Sequence, residues 1–255
     1  MSPSDLPPLD CHAHIAPDVT PAQVAGLRGA MVCAMTRTPA EARAASRRQD
    51  DTILWGFGVH PGVPAALAAA EDLHLDEALA EVVLVGEIGL DRRGPLGAQT
   101  SILEAVLDAC ATRPVLLSLH STGRTRELLA VLRQQPHPGA VLHWFNGTQD
   151  EICEAAELGC YFSVNNAMTD ERLAAMPQDR ILPETDFPSS RRTILASRPG
   201  DMTVLEQRLA LRDGVDEYDI RHRCWANFAR IAEAAGATAR LPGRWRQAVE
   251  QAIGS

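Results

Sequence analysis

Two histidines near the start of the chain have a spacing that suits metal binding. The stretch DCHAHI covers residues 10–15 and places His12 and His14 one residue apart. On a β-strand, alternate side chains leave on the same face, so both imidazoles can reach one ion. A single His-x-His pair also arises by chance in surface turns. Further ligands elsewhere in the chain must therefore decide between a metal site and two ordinary histidines.

More side chains that can bind metals occur where apolar runs end. Histidines end the runs GFGVH, LLSLH and AVLH at His60, His120 and His143, and acidic residues follow in VGEIGLD and ILPETDFP at Glu87, Asp91, Glu184 and Asp186. Such runs predict buried strands, and an unpaired polar group at the end of a buried strand is costly. Their recurrence at the same relative place therefore favours a shared metal site over chance.

The ligand types indicate which metals and which reaction to expect. Several imidazoles and carboxylates without a thiolate exceed the needs of one tetrahedral zinc and suit two divalent ions, as Mg²⁺, Mn²⁺ or Zn²⁺. All 24 basic residues are arginine, so no modified lysine can bridge the ions, and Glu87 is predicted to do so. Two such ions activate a water and stabilise the attacking and leaving oxygens of a displacement, which predicts a hydrolase.

The elements that must position these residues alternate along the chain. Apolar runs predict strands over residues 9–15, 30–35, 53–59, 82–88, 115–120, 140–145, 160–165 and 181–186. Amphipathic segments between them carry helix-start signals such as Thr20-Pro21 and Thr38-Pro39, and residues 201–235 and 243–253 predict C-terminal helices. Alternation implies parallel strands covered by helices, so we predict an α/β fold: a (β/α)8 TIM-type barrel in a single domain over residues 1–255. A doubly wound sheet fits the same pattern, since sequence does not reveal closure.

Composition restricts the compartment and the partners. No apolar run approaches the roughly 18 residues of a membrane span, and the first residues lack a secretory signal. The six cysteines are scattered without a Cys-x-x-Cys pair, which predicts reduced thiols in a cytoplasmic protein. The net charge of −9 argues against a broad basic surface, so any phosphate binding must be local.

The ordered motifs resemble the TatD family of metal-dependent deoxyribonucleases, within the amidohydrolase-like barrels. The motifs are DCHAHI, GVHPG, VGEIGLD, LHS, LHWFNG and PETDFP, with a late WANFARI, and they span about residues 9–235. The resemblance implies a two-metal phosphodiesterase acting on DNA, on single strands or strand ends. The implied metal ligands are His12, His14, Glu87, His120, His143 and Asp186. It also places His60 near the site and makes Glu184 a support for a ligand or a substrate contact. We further expect Asp186 to handle the proton of the hydrolytic water.

Arginines surround the predicted metal centre where the family pattern differs. They follow strands that end in predicted ligands, at Arg92 and Arg93, Arg124 and Arg126, and Arg191 and Arg192. Directly after HS, where the family usually has arginine, this chain has Thr122. Arginine forks fit phosphate oxygens, so we predict that Arg124, Arg191 and Arg192 contact the substrate, with Asp91 beside them. The alternative is that these arginines are merely solvated.

A finer resemblance suggests a biological setting. The segments CAMTRTP, VLHWFNGT and GCYFSVNNAM are similar to the TatD-type nuclease of the Qat anti-phage defence system, which implies defence-system protein partners. In one alternative, the same metal centre hydrolyses a small-molecule amide or ester, which an apolar slot in place of the arginines would favour. In another, the chain is a non-catalytic metal-binding subunit of a defence complex, which the complete ligand set argues against.

Overall fold

The strands form one parallel sheet that curls into a barrel. The computed structural model describes residues 6–70, 73–188 and 196–254. Within these residues, eight parallel strands hydrogen-bond in sequential order. They are β1 (Leu9–Ala13), β2 (Met31–Ala34), β3 (Ile53–Phe57), β4 (Leu84–Gly89), β5 (Leu116–His120), β6 (Ala140–Leu142), β7 (Tyr161–Val164) and β8 (Ile181–Pro183).

Backbone hydrogen bonds just beyond β8 bring the two ends of the sheet together. The N–H of Asp186 donates to the carbonyl oxygen of His12 (2.9 Å), and the N–H of His14 donates to that of Phe187 (2.7 Å). The sheet is therefore a nearly closed barrel, and the predicted (β/α)8 fold is confirmed. The doubly wound alternative is wrong, because the strand order of such a sheet reverses at a switch point.

Helices cover the outside of the barrel. In the described residues the α-helices are α1 (Pro21–Ala25), α2 (Pro39–Ala45), α3 (Pro64–Ala70), α4 (Leu75–Ala78), α5 (Leu96–Cys110), α6 (Thr125–Gln134), α7 (Gln149–Glu157), α8 (Asp170–Ala175), α9 (Thr203–Asp213), α10 (Glu217–Ala234) and α11 (Gly243–Ile253). The predicted start signals are confirmed, since Thr20 and Thr38 cap α1 and α2 by accepting a backbone N–H three residues on. None of the helices described is long and apolar enough to cross a bilayer.

The predicted helical segment 201–235 divides at Gly214. Gly214 adopts a left-handed backbone with φ 67°, which glycine reaches without strain and which ends α9. Asp216 then accepts the backbone N–H of Asp219 (2.8 Å) and caps the start of α10. Two local signals thus break one apolar pattern into two helices.

Two strands end three residues earlier than the sequence pattern predicts. β6 ends at Leu142 and β8 at Pro183, whereas the apolar patterns extend to residues 145 and 186. Trp144 and Asp186 have φ values of 40° and 49°, and a residue in this left-handed region cannot continue an extended ladder. The candidate ligands that follow these strands therefore lie in loops.

The last two helices close the N-terminal mouth of the barrel. Trp225 and Phe228 of α10 pack with Trp245 of α11, with ring centroids 5.4–5.8 Å apart. These rings join buried residues from the strand starts, such as Leu9 and Leu116, in one apolar cluster. The open mouth is therefore at the carboxyl ends of the strands, where barrel enzymes build their active sites.

Candidate metal centre

Side chains from six strand ends converge at the open mouth. Within the described residues, ligand atoms lie within 4.8 Å of one another in three overlapping groups: His12, His14 and Glu87; His12, His143 and Asp186; and His60, Glu87 and His120. The structure thus brings together the whole predicted ligand set and places His60 beside it.

Imidazoles face both oxygens of Glu87, which lies at the centre of the cluster. Its Oε2 lies 3.3 Å from His14 Nε2, 3.4 Å from His60 Nε2 and 3.9 Å from His12 Nε2. Its Oε1 contacts His120 Nδ1 and lies 3.6 Å from His143 Nε2. Burial raises the pKa of Glu87, but the charge and hydrogen bond of His120 outweigh it and hold that pKa well below its usual range. The carboxylate is therefore charged, and its two oxygens face different imidazoles.

Two atoms at this centre are buried without a hydrogen-bond partner. They are His12 Nε2 and Glu87 Oε2, 3.9 Å apart. A buried polar atom left unpaired costs about 1–3 kcal/mol, so such a pair calls for a ligand that both can bind. A lone-pair nitrogen and a carboxylate oxygen are what a divalent cation accepts. The residues present therefore fit a metal ion.

The outer nitrogens of His12 and His14 hold their rings in place. His12 Nδ1 is 2.8 Å from the hydroxyl of Ser118, and His14 Nδ1 donates to the carbonyl oxygen of Met35 (3.2 Å). In the neutral form with its proton on Nδ1, the ring of His14 directs an Nε2 lone pair into the cluster. Burial lowers the pKa of His12 well below its usual value, so its ring is neutral as a ligand must be.

A carboxylate from the loop after β8 orients His143. Glu184 Oε2 accepts from His143 Nδ1 (2.9 Å) and from the hydroxyl of Ser163, and its Oε1 accepts from the amide of Asn165 (2.8 Å). Burial lowers the pKa of His143, but the charge of Glu184 outweighs it and raises that pKa to about 10. Glu184 thus touches a candidate ligand and is itself held by residues at the end of β7.

His120 lies between two carboxylates. Its Nδ1 contacts Glu87 Oε1, and its Nε2 lies 2.9 Å from Asp91 Oδ2. Asp91 also accepts the guanidinium of Arg93 and that residue's backbone N–H (2.7 Å). Burial raises the pKa of Asp91, yet the hydrogen bonds from His120 and Arg93 hold it far below its ordinary value. Asp91 therefore orients His120 from outside the cluster.

His60 differs from the other imidazoles in the nitrogen that it presents. Its Nδ1 accepts the backbone N–H of Gly62 (2.9 Å), so the neutral ring carries its proton on Nε2, directed at Glu87 Oε2. Burial lowers the pKa of His60 to about 4, which keeps the ring neutral. In this tautomer the Nε2–H of His60 points toward Glu87, 3.4 Å from Oε2, and the ring offers no lone pair through Nε2.

Asp186 reaches the cluster from the loop after β8, next to the β1 histidines. Its Oδ1 lies 3.8 Å from His12 Nε2 and 3.7 Å from His14 Nε2. Burial raises the pKa of Asp186 to about 6, although the charge of His143 acts against it. The carboxylate therefore faces the two β1 imidazoles and retains partial contact with solvent.

Most of the described rim arginines are paired within the protein. Arg93 binds Asp91, Arg124 lies 3.0 Å from Glu127, and Arg126 lies 3.5 Å from Glu151. Arg92 is exposed beside them. Arg191 and Arg192 lie outside the described residues.

Several residues that support the cluster carry no prediction from sequence. They are Asp10, Ser118, Ser163 and Asn165, all buried and all hydrogen-bonded to a candidate ligand or to Glu184, which orients one. Each is a polar residue inside or directly after an apolar strand run. That feature is a usable signal, but a strand pattern alone does not tell which partner such a residue meets.

The fold and the site together define a class of protein. A (β/α)8 barrel with imidazoles and carboxylates clustered at the carboxyl ends of its strands is the architecture of a metal-dependent barrel hydrolase. The TatD related DNase family matches residues 9–233, and the chain belongs to this family. The prediction of a TatD-type hydrolase acting on phosphodiester bonds is thereby confirmed.

Known relatives agree with this assignment. A protein of Klebsiella pneumoniae (strain 342) named 3′-5′ ssDNA/RNA exonuclease TatD is 31% identical over 197 residues, which cover 71% of this chain and 74% of that protein. The Escherichia coli K12 protein of the same name is 27% identical, over 75% of this chain and 82% of its own. Among solved structures, the TatD homolog YjjV of Escherichia coli K12 has a TM-score of 0.71 at 22% identity, covering 87% of this chain and 97% of that one.

Proposed function

We propose that this chain is a divalent-metal-dependent nuclease that hydrolyses DNA phosphodiester bonds, acting on single strands or strand ends. The observation that carries the proposal is the cluster itself, in which candidate ligands surround the orphaned atoms of His12 and Glu87. The exonuclease names of the relatives support the choice of substrate.

Two ions fit the arrangement around Glu87 better than one. We propose that His12, His14, Glu87, His120, His143 and Asp186 would hold the ions. The support is that Oε2 of Glu87 faces the β1 imidazoles whereas Oε1 faces His120 and His143. When bound, Mg²⁺, Mn²⁺ or Zn²⁺ would supply a Lewis acid and lower the pKa of a water.

The protein's own groups have distinct tasks in this proposal. Asp186 accepts the proton of the attacking water, because it is the carboxylate at the cluster that is left partly open to solvent. Glu184 and Asp91 keep His143 and His120 oriented, and His60 directs its Nε2 proton toward Glu87. Arg124, Arg191 and Arg192 bind substrate phosphates, with Arg124 exchanging its bond to Glu127 for one to the substrate.

The experiment is a cleavage assay with purified full-length chain. Metal-stripped protein is supplied with Mg²⁺, Mn²⁺ or Zn²⁺ and given end-labelled single- and double-stranded DNA, RNA and an activated ester. We expect metal-dependent shortening of single strands and at least one ion lost per chain, by elemental analysis, from the His12→Ala/His14→Ala double variant. The matched control replaces His74 and His222, which lie away from the cluster. Hydrolysis of the ester alone, or unchanged metal content in the double variant, would refute the proposal.

We further propose that the chain works in the cytoplasm with protein partners of a Qat-type anti-phage defence system. The support is the similarity of CAMTRTP, VLHWFNGT and GCYFSVNNAM to the nuclease of that system. Purification of the tagged chain from its own cells should recover the same partner proteins with wild-type and Asp186→Asn chains. Recovery of the chain without partners would count against a defence complex.

A further inference from the structure

Asp10 is a fully buried carboxylate of β1 that lies outside the groups of candidate metal ligands. Its Oδ1 accepts the backbone N–H groups of Thr185 (2.9 Å) and His12 (3.3 Å). Its Oδ2 accepts the hydroxyl of Thr185 (2.6 Å) and the backbone N–H of Gly200 (2.8 Å). An ionised carboxylate has about four lone-pair sites, so these donors use its whole capacity.

The bonds from Thr185 to Asp10 cross the seam of the barrel. Among the described residues, strand ladders join each strand to the next from β1 to β8, and no ladder joins β8 to β1. The seam is closed by backbone bonds of His12 and His14 to the segment after β8, and by the side chain of Asp10. The side chain of Asp10 thus adds to the few backbone hydrogen bonds at this seam.

The backbone is strained at Asp186, the candidate metal ligand that follows Thr185 in the segment held by Asp10. Asp186 has φ 49°, a left-handed conformation that persists in a non-glycine residue only when its surroundings impose it. Thr185, on one side, is bound by Asp10 at both its N–H and its hydroxyl. The same hydroxyl accepts the N–H of Phe187 on the other side (3.1 Å). Asp10 and Thr185 therefore fix the backbone before and after Asp186.

The bond to Gly200 ties a second point of the chain to β1. A Cβ at Gly200 would lie 2.3 Å from the Cβ of Ala30, so the backbone there is pressed against the barrel. Asp10 thus holds both Thr185 and the segment that leads into α9.

We propose that Asp10 is a positioning residue that sets the distance between Asp186 and the β1 histidines across the seam. The proposal rests on the proposed function in one respect, namely that Asp186 is a metal ligand. The separations of 3.8 Å and 3.7 Å from Asp186 Oδ1 to His12 Nε2 and His14 Nε2 are the quantities that the Asp10–Thr185 pair controls.

The test measures Mn²⁺ affinity by calorimetry, and amide hydrogen exchange in metal-free protein. Asp10→Asn places an amide donor against the donors of Thr185 and Gly200. We expect Mn²⁺ binding to weaken about 10–100-fold, the usual effect of losing a group that orients a ligand, and exchange at Thr185 and Gly200 to quicken. Thr185→Val removes the hydroxyl and should likewise weaken Mn²⁺ binding and quicken amide exchange. Thr185→Ser keeps a hydroxyl and should show wild-type Mn²⁺ affinity and exchange rates.

Asp50→Asn is the matched control, because Asp50 is a half-buried carboxylate that binds Arg48 and Trp55 away from the cluster. It should lower stability and leave Mn²⁺ affinity unchanged. If Asp10→Asn and Thr185→Val also change only stability, Asp10 is merely structural and the proposal is overturned. If Asp10→Asn does not fold, the Mn²⁺ affinity and the amide exchange of Thr185→Val decide whether Asp10 has a positioning role. Unchanged Mn²⁺ affinity in Asp186→Ala, which removes both carboxylate oxygens, would instead count against the proposed function, and the exchange rates alone would then decide on Asp10.

Discussion

At the scale of single residues, Glu87 and Asp186 are both carboxylates but have different surroundings. Glu87 is surrounded by imidazoles on both oxygens and is buried. Asp186 presents one oxygen to His12 and His14 and keeps some contact with solvent. The first arrangement suits a bridge between ions, and the second suits proton exchange with water.

Conversion of each carboxylate to its amide should separate these tasks. Asp186→Asn keeps the size and one ligand oxygen but removes the basicity, so we expect most of the bound metal to remain and kcat to fall roughly 10²–10⁴-fold. Glu87→Gln should lose metal as well as activity, because a bridge needs two charged oxygens. Metal content and DNA hydrolysis, measured side by side, distinguish the two. A near wild-type rate in Asp186→Asn would mean that another group accepts the proton.

At the scale of elements, strands and site residues are predictable to different extents. Hydrophobic periodicity and helix caps locate the strands and the starts of α1 and α2, because these signals lie within a few neighbouring residues. The ends of β6 and β8 are not predictable in this way, since left-handed residues at 144 and 186 stop the ladders. Partners such as Ser118 for His12 join residues 106 positions apart, a distance over which local patterns carry no information.

The end of β7 offers a test of such a long-range partner. Asn165→Ala removes the amide donor to Glu184 Oε1, so Glu184 should hold His143 less firmly. We expect kcat to fall about 10–100-fold and the free energy of unfolding to fall by about 1–3 kcal/mol. Steady-state kinetics measures the change in kcat, and denaturant unfolding measures the change in the free energy of unfolding.

Thr169→Ala is the control for this experiment. The substitution removes the hydroxyl that caps α8 by accepting the backbone N–H of Arg172 (3.4 Å). It should lower the free energy of unfolding by about 0.5–2 kcal/mol without changing kcat. A wild-type kcat in Asn165→Ala would show that the β7 end does not support the reaction.

At the scale of the whole molecule, the two mouths of the barrel differ in kind. The N-terminal mouth is filled by the rings of Trp225, Phe228 and Trp245, whereas the other holds clustered polar groups. Because the site joins β1, β4, β5, β6 and β8, an ion bound there would tie distant parts of the barrel together. We propose that residues 1–255 form one domain, whose stability should depend on that ion.

Metal removal should therefore lower the melting temperature of the chain as a unit. A free ion at 100 times its Kd stabilises the folded state by about 2.7 kcal/mol. For a chain of this size that corresponds to a Tm decrease of about 5–11 °C on chelation, in one calorimetric transition. The His12→Ala/His14→Ala variant should respond less to the chelator. Two separate transitions, of which only one shifts, would contradict a single domain.

The charge of the molecule leads to a prediction about its substrate. With a net charge of −9, the chain as a whole repels DNA, so binding must come from cations close to the site. Arg191 and Arg192 follow the Asp186 loop in sequence and lie outside the described residues.

If both residues contact phosphates of a single strand, Arg191→Ala/Arg192→Ala should raise the KM for single-stranded DNA at low salt. The double variant should also reduce the slope of log affinity against log salt by about 1.4, since each contact contributes about 0.7. Arg244→Ala/Arg246→Ala is the matched control, because it removes the same charge from α11 at the opposite mouth. Equal effects of the two double variants would show that net charge, and no local phosphate contact, governs binding.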